Sequence, residues 1–414
     1  MLFFISFIIL NVGTVNSFGS LSVLSETRPV EMVTSSTYDP QFSRNFNDFK
    51  IIIDDQEQVY IGGHISHSIY DSILLGTNLR GGLLWENLSK NGIIYDIDVD
   101  HEKNIYCTGI KYVDHNPDII LWKYSSSGTF IWERSINGFG FEWGQGISID
   151  TLNNIYVAGY NSSGGMIVAK YNPNGEQEWL IEWGKELNAV CFGCTLDNED
   201  QIYLVGEVEG YLRSDMCILK LDSLGEELWN ITFPYVKGVD TEDRLSLAET
   251  NDDGNIFVVG DIENQACYVA EFSSEGLNIW NMTCVIDTNR ALGASDLVID
   301  SEDNVYIVGT YRPYDFSDWR YDNQAYNFLF KIQNGAEMWR YYWKFSEYDF
   351  VGGLALKDGD IYICGSSDGT LYLAKFSELG PIFPLFILFS WVGGTIVISI
   401  IIHSASKKKK TRDS

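Results

Sequence analysis

The chain has 414 residues, of which 14% are aromatic and only 21% charged, a balance that suits half-buried strands better than exposed helices. A formal net charge of −29 excludes nucleic acid as a partner, because phosphates need a basic surface. Such a charge keeps a protein soluble and attracts Ca2+ loosely, but it does not define a binding site.

Residues 2–10 form an apolar run too short to span a bilayer, followed by the small and polar Gly13, Thr14, Asn16 and Ser17. This pattern reads as a secretory signal peptide over 1–17, cleaved after Ser17. An N-terminal segment over 18–38 follows, and its stretch 28–37 is extended and β-branched enough to serve as a strand.

Over 39–380 one short phrase recurs: Asn, Gln or Asp, then Ile or Val, an aromatic, two residues and Gly. Its copies carry Tyr60…Gly63, Tyr106…Gly109, Tyr156…Gly159, Tyr203…Gly206, Phe257…Gly260, Tyr306…Gly309 and Tyr362…Gly365. The glycines lie 46 to 56 residues apart, which accommodates four short strands with their turns. An acid or amide stands nine residues before the glycine in six copies: Asp54, Asp100, Asp150, Asp197, Asn251 and Asp300. Downstream, a Lys or Glu with an aromatic precedes a second glycine, and four residues later comes Trp85, Trp132, Trp179, Trp229, Trp280 or Trp339.

Each unit therefore reads as strands A to D, with the Asp ending A, the Ile-Tyr phrase on B, the Lys on C and the Trp on D. Asp, Asn and Gly suit the tight A–B and C–D turns. A sheet apolar on both faces cannot fold alone, whereas sheets stacked around an axis bury both. The expected fold class is all-β, a single seven-bladed β-propeller of four-stranded antiparallel blades. The pattern resembles the β-propeller repeats of prokaryotic surface and secreted proteins, the SBBP repeats, which are close in style to quinoprotein-like propellers. That resemblance implies a fold and is nearly silent about a ligand.

The seventh unit stops after strand C and has no Trp, so the segment 28–37 is expected to supply its strand D. Then 381–403 reads as one transmembrane helix: 382–402 holds no charged residue over 21 positions, enough to cross a hydrocarbon core. The tail 404–414 carries Lys407, Lys408, Lys409, Lys410 and Arg412, a cytoplasmic flank by the positive-inside rule. The propeller is thereby expected outside the cell as a single-pass membrane protein. Its tight turns would face the bilayer, and its B–C and D–A loops would face outward.

The longest B–C loop, 310–326, holds Tyr311, Tyr314, Phe316, Trp319 and Tyr321 among acids and arginines. Rigid aromatics with Arg are what recognition surfaces enrich, so these five are the candidate ligand-binding residues, with a cap folded on itself as the alternative. A weaker candidate is the D–A loop 232–246 with Tyr235 and Lys237. The six strand-D tryptophans are assigned to blade packing.

Sequons at Asn87, Asn161, Asn230 and Asn281 are candidate glycosylation sites. The Asp…Asn turns lack the recurring closing Glu of a calcium loop and read as Asx turns, so no cofactor is expected beyond loosely held Ca2+. Seven cysteines leave at least one unpaired. Counting back from a turn that pairs Phe272 with Leu277 places Cys267 opposite Met282, two residues off register with Cys284. Cys191-x-x-Cys194 lacks a second pair and reads as a buried strand.

Only five histidines are present, and none forms a spaced metal motif. The sequence thus favours an extracellular module that binds, adheres or scaffolds through protein or carbohydrate contacts. A hydrolase or lyase with two or three acids converging in the axial channel is the alternative, and an architectural surface-layer component is a third reading.

Overall fold

A computed structural model describes residues 49–402 apart from the short segments 67–69, 114–115, 137–140, 210–213, 234–242, 263–265, 286–289, 316–319, 322–324, 347–348, 368–369, 380–382 and 393–394. Seven antiparallel sheets follow one another in chain order, and each is built from consecutive strands. Strand A of the blades runs Lys50–Ile53, Gly92–Val99, Glu142–Ile149, Val190–Leu196, Asp243–Thr250, Arg290–Ile299 and Asp349–Lys357. The fold is an all-β, seven-bladed propeller of four-stranded blades, with a fifth strand added in the sixth and seventh.

What closes the ring is packing between faces. Seven apolar clusters are found among the described residues, each spanning two neighbouring blades. The one between the last and first blades joins Tyr362, Cys364 and Leu373 to Phe49, Ile51 and Ile61. Continuous burial on both faces of strands B and C is the reason: Ile256–Ile262 and Ala266–Phe272 are buried at every position. No single blade could hide such strands, so neighbours are obligatory.

The repeated phrase is the hardware of this stacking. Asp100 Oδ1 accepts the N–H groups of Glu102 and Asn104 at 2.9 and 2.7 Å, and Oδ2 accepts the Tyr106 hydroxyl at 3.1 Å. Asp54, Asp150 and Asp300 repeat this Asx turn and hydroxyl clamp, and Asp197 and Asn251 repeat the turn. The acid oxygens are thereby occupied by their own turns, as the Asx reading expects. On strand C, Lys123, Lys170, Lys220, Lys331 and Lys375 place their ammonium groups 4.5–5.5 Å from the centre of the Tyr ring on strand B. The lysines of blades two to four also reach the C–D turn of the next blade: Lys123 to the Pro173 carbonyl, Lys170 to Ser223 and Lys220 to Ser274.

The strand-D tryptophans complete the row. Trp179 and Trp229 donate their indole N–H to Ser223 and Ser274, the carbonyls their lysine neighbours use, and Trp85 donates to Ser126. All six lie about 6 Å from the strand-B ring of their own blade, at centroid separations of 5.9–6.2 Å. In the first blade Gly76 stands where five blades carry Lys and the fifth blade carries Glu271, and a Cβ there would sit 2.2 Å from the Trp85 ring. The indole fills the space that the missing side chain leaves.

At the C-terminus the structure departs from the sequence reading. In place of one helix over 381–403, Phe383–Val392 and Thr395–Ile402 are strands. They continue the seventh sheet as its fourth and fifth members, against Thr370–Leu379. The open edge of strand C offers unpaired backbone groups, and a segment rich in Ile, Val and Phe can satisfy them as a ladder. Among the described residues, no helix is long and apolar enough to cross a membrane. The segments 1–17, 28–37 and 404–414, expected as signal peptide, closing strand and basic tail, lie outside the described residues.

Candidate functional site

Strand A of every blade lines the central axis, and its local geometry makes the site. In blades two to seven it carries one extra residue relative to strand B, a β-bulge, at Tyr95, Gln145, Phe192, Ser246, Ser295 and Gly352. A bulge re-aims the extra residue away from the ladder. All six line one axial cavity of about 880 Å³. The bulge also brings a strand-A carbonyl against strand B, which is why the Ile-Tyr-x-x-Gly phrase ends in glycine. A Cβ on Gly206 would lie 1.8 Å from the Val190 oxygen.

In five of these six blades the bulge lies nearer the end of strand A that adjoins the D–A loop, and the ring of bulged residues marks the mouth of the cavity on that loop face. Around it, across blades three to five, runs an aromatic ladder. Trp143 stacks on Tyr160 at 5.1 Å and 17°, with Phe141 6.4 Å beyond it. Tyr160 meets Phe192 edge-on at 6.1 Å, and the Arg244 guanidinium lies 5.4 Å from the Phe192 ring centre. Arg244 is also paired with Asp261 at 3.2 Å. Burial raises the Asp261 carboxyl above its usual range, and Arg244 opposes that shift. Phe141 is 44% exposed, so the ladder begins at the surface and ends in the channel wall.

Below the mouth, charge gathers. Lys50, Asp96 and Asp296 hold equivalent positions, each paired with the residue two places after the strand-B aromatic. Lys50 Nζ binds Asp296 Oδ1 at 2.6 Å and the Ser295 carbonyl at 3.3 Å. One layer further down stand Asp98 and Glu249, facing Tyr106 and Phe257 in register. Burial pushes Asp96 up to about 6, Asp98 to about 7 and Glu249 to about 8. All three are half-buried by exposure, because they border the channel. Burial also disfavours the Lys50 cation, but Asp296 and Asp96 outweigh it and hold its pKa above normal.

Most of these acids have structural employment. Asp96 accepts the N–H groups of Ile97 and Ile147 at 3.0 Å each. Asp98 accepts Val99 and Ile149 at 2.7 and 2.8 Å, and Asp296 accepts Leu354 at 2.7 Å. Ile147 and Ile149 belong to the blade after that of Asp96 and Asp98, and Leu354 to the blade after that of Asp296. These carboxylates therefore staple one inner strand to the next by capping its unpaired N–H groups. Among the described residues, no backbone N–H comparable to these serves Glu249. No group of three or more His, Cys, Asp or Glu side chains among them is placed to hold a metal ion.

The residues singled out from the sequence fare differently. Tyr311 is buried, 2% exposed, stacked on Tyr326 at 5.2 Å and edge-on to Tyr342. Its ring belongs to the core between the fifth and sixth blades rather than to a binding surface. Tyr314 and Tyr321 pair across a short strand extension, while Phe316 and Trp319 lie outside the described residues, as do Tyr235 and Lys237. Asn161 is 3% exposed, and its amide is bonded to Glu182, Ser163 and Gly165. A glycan has no room there. Asn230 and Asn281 are exposed on strand D, and Asn87 is half-buried. The channel mouth escaped sequence reasoning because its residues differ from blade to blade; only the strand-B glycine hints at the bulge opposite.

No protein-family model matches the chain, and no curated protein matches it. Solved structures do. The chain is similar to the Dos1 propeller at TM-score 0.52 and 9% identity, covering 88% of this chain and 94% of that one. It is also similar to the Pan2 WD40 domain of Neurospora crassa at TM-score 0.50 and 10% identity, covering 79% and 88%. At such identities the likeness shows the β-propeller fold alone.

Proposed function

We propose that this propeller is a binding or scaffold module that takes its ligand at the channel mouth on the loop face, between Trp143, Phe192 and Arg244. The observation that carries this reading is the ladder itself: aromatic rings and a guanidinium lead from an exposed edge into a cavity ringed by six bulged residues. Rigid aromatics lose little entropy on binding, and together with Arg they dominate recognition energies. The strong negative charge favours a neutral or cationic ligand, with an extracellular protein or carbohydrate as the expected class. The test screens the full-length protein and Phe192→Ala against an array of neutral, cationic and anionic oligosaccharides and against surface-protein extracts. Hits retained by the native chain and lost by a variant of equal melting temperature support the reading; hits indifferent to Phe192 overturn it.

Display at the cell surface belongs to the same proposal. The outer edge of Thr395–Ile402 is an unpaired row of backbone groups on an apolar strand among the described residues, an arrangement proteins avoid. In a bilayer the same 21 uncharged residues satisfy every backbone group as a helix, with the lysine tail as cytoplasmic flank. The blade repeats are then of the surface-protein type that they resemble. Protease added to sealed cells should digest the propeller and spare the tail.

A second reading rests on Glu249. Burial and the neighbouring Asp296 and Asp98 raise the Glu249 carboxyl and favour its protonated form, which can donate a proton to a leaving group, as a hydrolase or lyase requires. Glu249→Gln would abolish such an activity while leaving binding intact.

A further inference from the structure

Cys267 and Cys284 are direct partners across strands C and D of the fifth blade. Two features move Cys284 into register. The C–D turn closes with Ser273 N–H on the Leu277 carbonyl, so that Phe272 pairs with Asn278 rather than Leu277. A bulge between Glu271 and Phe272 then shifts the ladder by one more residue. Directly opposed residues of antiparallel strands have Cα atoms about 4.5–5.5 Å apart and side chains on one face. A disulfide needs Cα atoms about 4.4–6.8 Å apart. Direct pairing thus falls within the backbone spacing that a disulfide needs, and in the structure both residues are free thiols.

At the same place the first blade pairs Ser72 with Ser89 and the sixth Asn327 with Trp343, whereas blades two to four pair large apolar side chains: Ile119 with Ile136, Met166 with Trp183, and Met216 with Phe233. Two cysteines fill much less space than those apolar pairs, yet Cys267 and Cys284 are 0% and 1% exposed within the core between blades five and six. The other cysteines offer no equal match. Cys191 and Cys217 are separated by a whole strand, since each is the partner of Gly206 on opposite sides, which puts their backbones about 9 Å apart.

We propose that Cys267 and Cys284 form a cross-strand disulfide that clips the outer hairpin of the fifth blade when the chain folds in an oxidising compartment. The two thiols lose two protons and two electrons, one S–S bond forms, and the oxidant is the disulfide of a thiol–disulfide oxidoreductase, which is reduced to its dithiol. The bond forms before the blade is sealed, because in the finished ring both sulfurs are out of reach of a protein oxidant. Burial also pushes both thiols up, Cys284 to about 12, so neither supplies thiolate readily once packed.

The test refolds the reduced full-length chain in a reduced/oxidised glutathione couple, then denatures, alkylates and digests it for mass spectrometry. Five alkylated cysteines of the seven are expected, with the peptide holding Cys267 joined to the one holding Cys284. Dithiothreitol should lower the melting temperature of that material. It should leave unmoved the variant Cys267→Met with Cys284→Phe, which copies the fourth-blade pair and guards against loss by misfolding. Seven alkylated cysteines, or Cys267 joined to any other cysteine, would overturn the proposal.

Discussion

Lys220 shows how much one residue of the repeat is asked to do. Its ammonium pairs with Asp197 at 3.2 Å, lies 4.5 Å from the Tyr203 ring centre and bonds the Ser274 carbonyl of the next blade. Both partners of the ion pair are 4% exposed. Replacing Lys220 with Met keeps the aliphatic stem and removes the charge, which leaves Asp197 buried without its partner. The expected cost is about 3–5 kcal/mol, the usual penalty for breaking a buried pair, read from urea unfolding of the native and variant chains. A change below about 1 kcal/mol would show that water reaches the site. At the same scale, the channel acids make stability depend on pH. Burial raises Asp96, Asp98 and Glu249 in the folded state to about 6, 7 and 8. In the unfolded chain they titrate near 4. Protons bind the folded state more tightly, so this contribution is fully present below about pH 4 and is lost as pH rises through 6 to 8. The melting temperature should fall between pH 5 and pH 8.5, and Glu249→Gln should flatten the upper part of that fall. A rise over the same range would contradict the assignment.

Among the elements, strand A repays the closest look, because its bulge links fold and site. The bulge pushes one side chain per blade toward the axis and draws a carbonyl against strand B. Gly206→Ala therefore puts a methyl 1.8 Å from the Val190 oxygen, and backbone must move to admit it. We expect a loss of several kcal/mol or failure to fold, and a crystal structure of any folded variant should show the Phe192 bulge displaced; an undisturbed bulge would refute this account of the glycine. That glycine was legible in the sequence as a repeated mark, but its cause was not, since one extra residue on a strand leaves no periodic trace. The same limit explains the cysteine register. Two one-residue shifts, at Asn278 and at Glu271, were invisible to counting, and together they turn a mismatch into a pair. Asp150, Lys170 and Trp179, by contrast, stand where the phrase predicts, because each fills a role that most blades repeat.

For the whole molecule, blade number followed from seven spaced copies, and the seven interblade clusters show why such a chain has to become a ring. The proposed ligand site was not legible, since Trp143, Phe192 and Arg244 are residues that the repeat does not share. At the C-terminus, length and lack of charge do not distinguish a spanning helix from an apolar hairpin extending a sheet. Circular closure brings together residues far apart in sequence, and Lys50 of the first blade against Asp296 of the sixth, at 2.6 Å, is the sharpest instance. A double-mutant cycle with Lys50→Met and Asp296→Asn, followed by urea unfolding, measures whether they meet. A closed ring predicts a coupling of about 0.5–3 kcal/mol between them, whereas additive effects, within about 0.5 kcal/mol, would mean that the first and sixth blades never come together.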